Sequence, residues 1–134
     1  MSDGRLVVLF DGECRWCRWS VARLVPLDTR HRLRLMEIQD PEAQALLASV
    51  PQDERLDSAH AVTADGRVFS GGDAAAPIAA ELPALAWGAP LVRAVPGAAR
   101  AGYRLVADRR SVLGRRLDDR ALERADRLID KRSS

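Results

Sequence analysis

The sequence has 134 residues, 47% of them apolar and 30% charged, and its formal net charge is +2. This length and composition predict one soluble globular domain spanning residues 1–134, and the small net charge gives no reason to expect nucleic acid as a partner. No apolar run approaches the length of a membrane span, and the N-terminal residues do not resemble a signal peptide, so we expect a cytoplasmic protein.

The first third of the chain predicts a β-α-β unit. The continuous apolar run at residues 5–10 is typical of a buried strand, and Asp11–Gly12 ends it with a turn. A helix is expected from about residue 14 to 27, ended or kinked by Pro26, and alternating apolar residues at 32–38 predict a second strand. Strand, helix and strand in this order predict parallel strands joined by a crossover helix.

The middle of the chain predicts a helix, a hairpin and another helix. An Asp-Pro pair at the start of residues 40–50 is a strong signal for a helix N-terminus. Residues 59–72 are typical of two short strands around Asp65–Gly66, a favoured hairpin turn. Asp73 is expected to cap the helix that follows.

From about residue 85 to 134 the chain predicts a C-terminal helical extension. A helix is expected over residues 97–110, and a charged amphipathic helix forms the tail. The helical spacing places two sets of apolar residues on stripes: Ala98, Ala101, Leu105 and Val106, and then Leu117, Ala121, Leu122, Ala125, Leu128 and Ile129. The whole order predicts an α/β fold with a thioredoxin-like β-α-β core, a β-hairpin and additional C-terminal helices.

The two cysteines, Cys14 and Cys17, form a CxxC pair at the predicted start of the first helix. Positions three apart on a helix lie on the same side, so the sulfurs can approach each other closely enough to form a disulfide. A closed zinc site wants four ligands, and His31 and His60 are not paired at ligand spacing. Disulfide exchange is therefore favoured, with metal binding and simple packing left open as alternatives.

The two cysteines are expected to differ in role. At the first turn, backbone N–H groups without helical partners and the positive end of the macrodipole favour a thiolate at Cys14. Cys17 shares a stripe with Val21 and Leu24 and is expected to face the core. We therefore expect Cys14 to be the nucleophile that forms a mixed disulfide, and Cys17 to be the thiol that resolves it.

Neighbouring residues suggest supporting roles. Asp11 is either a turn residue between strand and helix or a carboxylate that relays the proton of Cys17, and the two roles are compatible. Trp16 lies between the cysteines and offers apolar surface for substrate binding. Arg15 and Arg18 are expected to be ordinary surface arginines, although their charge could also favour a thiolate.

The stretch LFDGECRWC resembles the opening motif of the DCC family, small thiol–disulfide oxidoreductases named for an Asp and two Cys near the N-terminus. The matching positions are Asp11, Cys14 and Cys17. Two weaker similarities follow at Gly71–Ala74 and at Tyr103–Arg110.

The resemblance, over residues 6–117, implies a thioredoxin-like fold and disulfide exchange. No bound cofactor is expected, because the cysteine pair is itself the redox centre. The expected substrate is a disulfide-containing protein or a small thiol. A thiol reductant or a reductase is the expected source of electrons. The chain departs from thioredoxins where they place a cis-Pro facing the CxxC pair, because Ser58 or Ala59 stands there. A non-catalytic metal-binding domain and a redox-switched interaction domain remain the alternatives.

Overall fold

A four-stranded mixed sheet lies at the centre of the computed structural model, in which residues 4–133 are described. Its strands are β1 (Leu6–Phe10), β2 (Leu33–Glu37), β3 (His60–Val62) and β4 (Val68–Ser70), in the order β2-β1-β3-β4. β1 is parallel to β2 and antiparallel to β3, and β3 and β4 form the antiparallel hairpin. The predicted fold class, α/β with a thioredoxin-like core, is confirmed.

Two helices connect β1 to β2, where the sequence predicts one. They are α1 (Arg15–Ala22) and α2 (Leu24–Leu27), and the helix is interrupted between them at Arg23. The break comes before Pro26 because a proline inside a helix removes a backbone donor and crowds the preceding turn. Pro26 therefore lies inside the short α2 and does not end it.

The remaining helices cover the sheet and extend towards the C-terminus. They are α3 (Pro41–Leu46), α4 (Ala75–Glu81), α5 (Ala89–Ala94), α6 (Pro96–Asp108), α7 (Arg110–Arg115) and α8 (Asp119–Ser133), with 3₁₀ turns at Gln52–Glu54, Gly71–Ala74 and Ala86–Gly88. Asp40 caps α3, as predicted, but Asp73 does not cap α4 and pairs with Arg100. Among the described residues, no helix has the length and apolar character that crossing a membrane requires.

The core lies on both faces of the sheet. On one face, Val8 and Phe10 of β1 pack in a cluster with Val21 of α1. On the other face, Leu9 packs in a second cluster with Leu47, just after α3. All five residues of β1 are buried, so the end of this strand is firmly fixed and positions the turn and the cysteines that follow it.

Of the C-terminal helices, α7 and α8 pack on α1. The two predicted apolar stripes, on α6 and α8, differ in how they are covered. On α8, Leu122 and Ala125 are buried and Ile129 packs against the first core cluster, so this stripe faces the body of the protein. On α6, Leu105 and Val106 are exposed. The spacing of apolar residues defines a face of a helix, but only packing decides whether that face is covered.

Candidate active site

Cys14 is the N-cap residue of α1, with an extended backbone conformation (φ −90°, ψ 116°). Its Sγ accepts a hydrogen bond from the backbone N–H of Cys17 at 3.2 Å. Its carbonyl oxygen accepts the helical bond from the N–H of Arg18 at 3.0 Å. The sulfur thus takes the place of the side-chain oxygen that usually caps a helix, and it lies at the positive end of the helix.

The two cysteines are both free thiols and both half-buried. Helical spacing predicts that Cys17 faces the core and Cys14 the solvent, but the structure does not separate them by burial in this way. The reason is that α1 begins only at Arg15, so Cys17 lies in the first turn, near the open end of the helix. The pair is therefore within reach of solvent, and the two sulfurs lie within one helical turn of each other.

The electrostatic environment does distinguish the two thiols. The pKa of the Cys17 thiol is raised from 9.0 to about 12, first by burial and then by a side-chain hydrogen bond with Cys14 and the charge of Cys14. The positive charge of Arg110 opposes the increase, and the negative charge of Asp11 adds to it. Cys17 is therefore held as a neutral thiol at physiological pH, and it is the hydrogen-bond partner of the Cys14 sulfur.

Asp11 shapes the turn between β1 and α1. Its Oδ1 accepts hydrogen bonds from the N–H of Glu13 at 3.0 Å and from Nε2 of Gln39 at 2.8 Å, and its carbonyl oxygen accepts one from the N–H of Cys14 at 3.2 Å. Gln39 also accepts a hydrogen bond from the N–H of Gly12 at 3.0 Å. The turn role expected of Asp11 is present, and its charge also acts on Cys17.

Gln39 is a site residue that sequence reasoning missed. It follows β2, while Asp11 follows β1, and these strands are parallel neighbours. The carboxyl ends of neighbouring parallel strands meet at the same edge of a sheet, and this rule could have indicated the contact.

Trp16 lies half-buried beside the cysteines. Its ring stacks on Trp19 with the centroids 5.0 Å apart and an angle of 30° between the planes. Gly114 of α7 approaches its backbone so closely that a Cβ there would lie 3.3 Å from the Trp16 nitrogen. The tryptophan is thus held between α1 and α7, and part of its surface stays accessible.

Arg15 and Arg18 hold the C-terminal helices on α1. Arg15 donates from Nε to the Gly114 carbonyl at 3.1 Å and from Nη2 to the Leu117 carbonyl at 2.9 Å. Arg18 forms an ion pair with Asp126 of α8, with Nε and Oδ1 3.0 Å apart. Both guanidinium groups are engaged in packing contacts, so the interpretation that they tune the thiolate receives no support from the geometry.

Tyr103 and Arg110 contact the segment that precedes β3, and both lie within electrostatic range of the cysteine pair. The Tyr103 hydroxyl oxygen accepts a hydrogen bond from the Ala59 N–H at 2.7 Å, and Arg110 donates from Nη2 to the Leu56 carbonyl at 3.1 Å. Burial raises the pKa of Tyr103, and the charge of Cys17 raises it further, so the phenol lies within electrostatic range of the thiol.

This segment is the place where thioredoxins carry a cis-Pro. The described residues contain no cis peptide bond, and here the tyrosine and arginine side chains hold the backbone. The weak similarity at Tyr103–Arg110 was the sequence signal for these residues, but it could not show that they face the cysteines.

The histidines and the thiols do not form a metal cluster. His60 is buried and satisfied, with Nδ1 2.7 Å from Oγ of Ser70 and Nε2 2.8 Å from the Arg55 carbonyl, and burial lowers its pKa. His60 therefore has a structural role. Across residues 4–133 no group of three or more His, Cys, Asp or Glu side chains could hold a metal ion, so a closed four-ligand zinc site would need ligands from outside these residues.

The comparison with known proteins agrees with this geometry. Residues 8–116 match the family model described as DCC1-like thiol-disulfide oxidoreductase. No curated protein and no solved structure gives a significant match. The matched range contains the cysteine pair, the Asp11 turn and the two helices that supply Tyr103 and Arg110. Because the match spans most of the sequence and the whole of this site, the chain belongs to the DCC1-like thiol-disulfide oxidoreductase family.

Proposed function

We propose that the protein exchanges disulfides through Cys14 and Cys17, with Cys14 as the nucleophile and Cys17 as the resolving thiol. The observation that carries this proposal is the placement of Cys14 at the N-cap and Cys17 in the first turn of α1, where the Cys14 sulfur accepts the hydrogen bond from the Cys17 N–H. A capping sulfur is stabilised as an anion by that N–H and by the helix dipole, and it remains accessible from the helix end.

The reaction proceeds in two exchanges. The Cys14 thiolate attacks one sulfur of a substrate disulfide, which forms a mixed disulfide and releases the other substrate sulfur as a thiolate. Cys17 then loses its proton and attacks the Cys14 sulfur, which forms the Cys14–Cys17 disulfide and releases the second substrate thiolate. Two electrons pass from the pair to the substrate, and the protons come from Cys17 and from solvent.

The first exchange itself prepares the second. The negative charge of Cys14 and its hydrogen bond to Cys17 both raise the pKa of Cys17. Both influences disappear when Cys14 enters the mixed disulfide, so the pKa of Cys17 falls at the moment when a thiolate is needed. Asp11 is the nearby carboxylate proposed to relay the proton, and Arg110 stabilises the Cys17 anion that results.

The substrate is proposed to bind between Trp16 and the segment that precedes β3. Trp16 supplies apolar surface, and Tyr103 and Arg110 fix the backbone of that segment at Ala59 and Leu56. The helical extension from about residue 85 is therefore proposed to be part of the site. The proposed substrate is a disulfide-containing protein or a small thiol. The proposed compartment is the cytoplasm, where a thiol reductant or reductase would return electrons to the cysteine pair.

A disulfide-reduction assay with insulin or a model disulfide tests the proposal. We expect activity in the wild type, none in Cys14→Ser, and a trapped mixed disulfide in Cys17→Ser that mass spectrometry detects as an adduct on Cys14. Equal activity in all three proteins would remove disulfide exchange as the function.

A further inference from the structure

The apolar stripe of α6 is left uncovered. No residue of this helix is buried, and its half-buried residues are Ala99, Tyr103 and Ala107, which follow one another at helical spacing and form its contact with the protein. The stripe on the adjoining side is exposed; its residues are Ala98, Ala101, Leu105 and Val106. An amphipathic helix normally buries its large aliphatic side chains, but α6 contacts the protein through Ala99, Tyr103 and Ala107 and leaves Leu105 and Val106 exposed.

The same region holds most of the exposed apolar side chains. Of the eight large hydrophobic residues exposed among the described side chains, all except Leu56 lie between residues 82 and 117. They include Trp87, which is 75% exposed, and Leu91, which is 62% exposed. The full set in this region is Leu85, Trp87, Leu91, Val95, Leu105, Val106 and Val112. We call these side chains and the arginines among them the basic apolar surface.

This region is also strongly basic. Residues 82–117 contain seven arginines and one aspartate, a formal charge of +6 in a chain whose total is +2. Arg100 is paired with Asp73, but the side chains of Arg93, Arg104 and Arg109 are exposed and have no hydrogen-bond or ion-pair partner among the described residues. The positive charge and the exposed apolar side chains therefore lie in the same segment of the chain, while the rest of the chain is net acidic.

We propose that the basic apolar surface binds the surface of an anionic lipid bilayer. Trp, Leu and Val side chains can enter the boundary between headgroups and acyl chains, while arginines stay at the level of the anionic headgroups. Each basic residue near such a surface adds attraction, and the charge of this region is sufficient for several to act together. No helix needs to cross the bilayer, because the helices would lie along it.

The other classes of partner fit the surface less well. A second copy of the chain would bring two strongly positive surfaces together, which Coulomb repulsion opposes. Nucleic acid would use the arginines, but exposed Leu and Val side chains offer no ring on which bases can stack, and Trp87 is the only aromatic residue among the large exposed hydrophobics. A lipid surface uses both features.

Flotation of the full-length protein with vesicles tests the proposal. The wild type should float with vesicles of phosphatidylcholine containing about 30% phosphatidylserine, should bind phosphatidylcholine vesicles much more weakly, and should dissociate as salt rises. The double variant Arg93→Glu and Arg104→Glu should lose at least about tenfold in binding. The double variant Leu91→Ser and Leu105→Ser should also bind the vesicles more weakly than the wild type. Because this loss is of apolar contacts, it should be present at every salt concentration.

Two arginines of α8 provide the matched control. Arg124 and Arg127 are exposed and lack side-chain partners within the described chain, so Arg124→Glu with Arg127→Glu makes the same charge change on another surface and should bind nearly as the wild type does. Equal loss in both charge variants would overturn the proposal. Failure of the wild type to float would overturn the proposal as well. A concentration-dependent dimer in sedimentation, or binding to nucleic acid, would then identify the partner of this surface.

Discussion

The sulfur of Cys14 and the backbone nitrogen of Cys17 are joined by a hydrogen bond of 3.2 Å. Because a cysteine occupies the N-cap, capping the helix and stabilising a negative sulfur are the same interaction. A sulfur in a disulfide is a poorer acceptor than a thiolate, so this bond favours the reduced pair over the oxidised pair. Stabilising the reduced form in this way raises the reduction potential of the pair, so its disulfide form becomes a stronger oxidant.

Replacing Cys14 by alanine should make Cys17 easier to deprotonate. The substitution removes the hydrogen bond and the charge that raise the Cys17 pKa, so this pKa should fall below the wild-type value of about 12, while burial keeps it above 9.0. The rate of iodoacetamide alkylation at Cys17, followed against pH by peptide mass spectrometry, measures the shift. An unchanged pH profile would show that Cys14 does not control its neighbour.

Replacing Arg110 by glutamine should slow the second exchange. The positive charge of Arg110 lowers the Cys17 pKa, so its loss raises that pKa and makes the mixed disulfide persist. Acid quenching during turnover should capture more of this species, and Arg110→Lys should restore part of the rate. Arg109→Gln is the control, because its side chain is exposed and has no partner among the described residues. Identical quench profiles for the two glutamine variants would contradict the role of Arg110.

Replacing Gly72 by alanine should displace α6 and with it Tyr103. A Cβ at Gly72 would lie 2.5 Å from the Ala99 carbonyl oxygen and from the Arg100 Cα, and these backbone atoms can separate only if the helix moves. We expect a loss of roughly 1–3 kcal/mol in urea unfolding, together with a raised KM for the disulfide substrate. Gly102 lies in the same helix with open space around it, so Gly102→Ala should leave the protein as stable or more stable. Equal stabilities would refute the close approach.

Acid should destabilise the fold partly through His60. Burial lowers its pKa below 6.5, so the unfolded chain binds a proton at a pH where the folded protein does not. This contribution to stability is complete above pH 6.5 and is lost as the pH falls through the folded pKa. The urea midpoint of the wild type should thus fall more steeply on acidification than that of His60→Gln. His31→Asn, at an exposed position with a positive φ of 53°, should keep the wild-type slope.

The sequence alone determined the features that depend on local pattern. The run of apolar residues in β1, the Asp-Pro start of α3 and the Asp65–Gly66 turn each act over a few residues, so each predicts its element correctly. The spacing of Cys14 and Cys17 is also local, and it led to the prediction of disulfide exchange. Together with Asp11 and the apolar strand before it, the pair indicated the family. The apolar stripe of α8 predicted its packing because a strong periodic pattern usually marks the buried side.

Only the tertiary structure decided which distant residues meet the cysteine pair. Gln39 reaches Asp11 because two parallel strands end at the same edge. Tyr103 and Arg110 reach Ala59 and Leu56 because α6 packs on the 3₁₀ turn at Gly71–Ala74 and α7 packs on α1.

The orientation of α6 was decided in the same way. Its spacing defines an apolar stripe, but the close approach of Gly72 to Ala99 turns the side with Ala99 to the protein and leaves Leu105 in solvent. Periodicity gives a helix its faces, whereas contacts between residues far apart in the chain decide which face is covered.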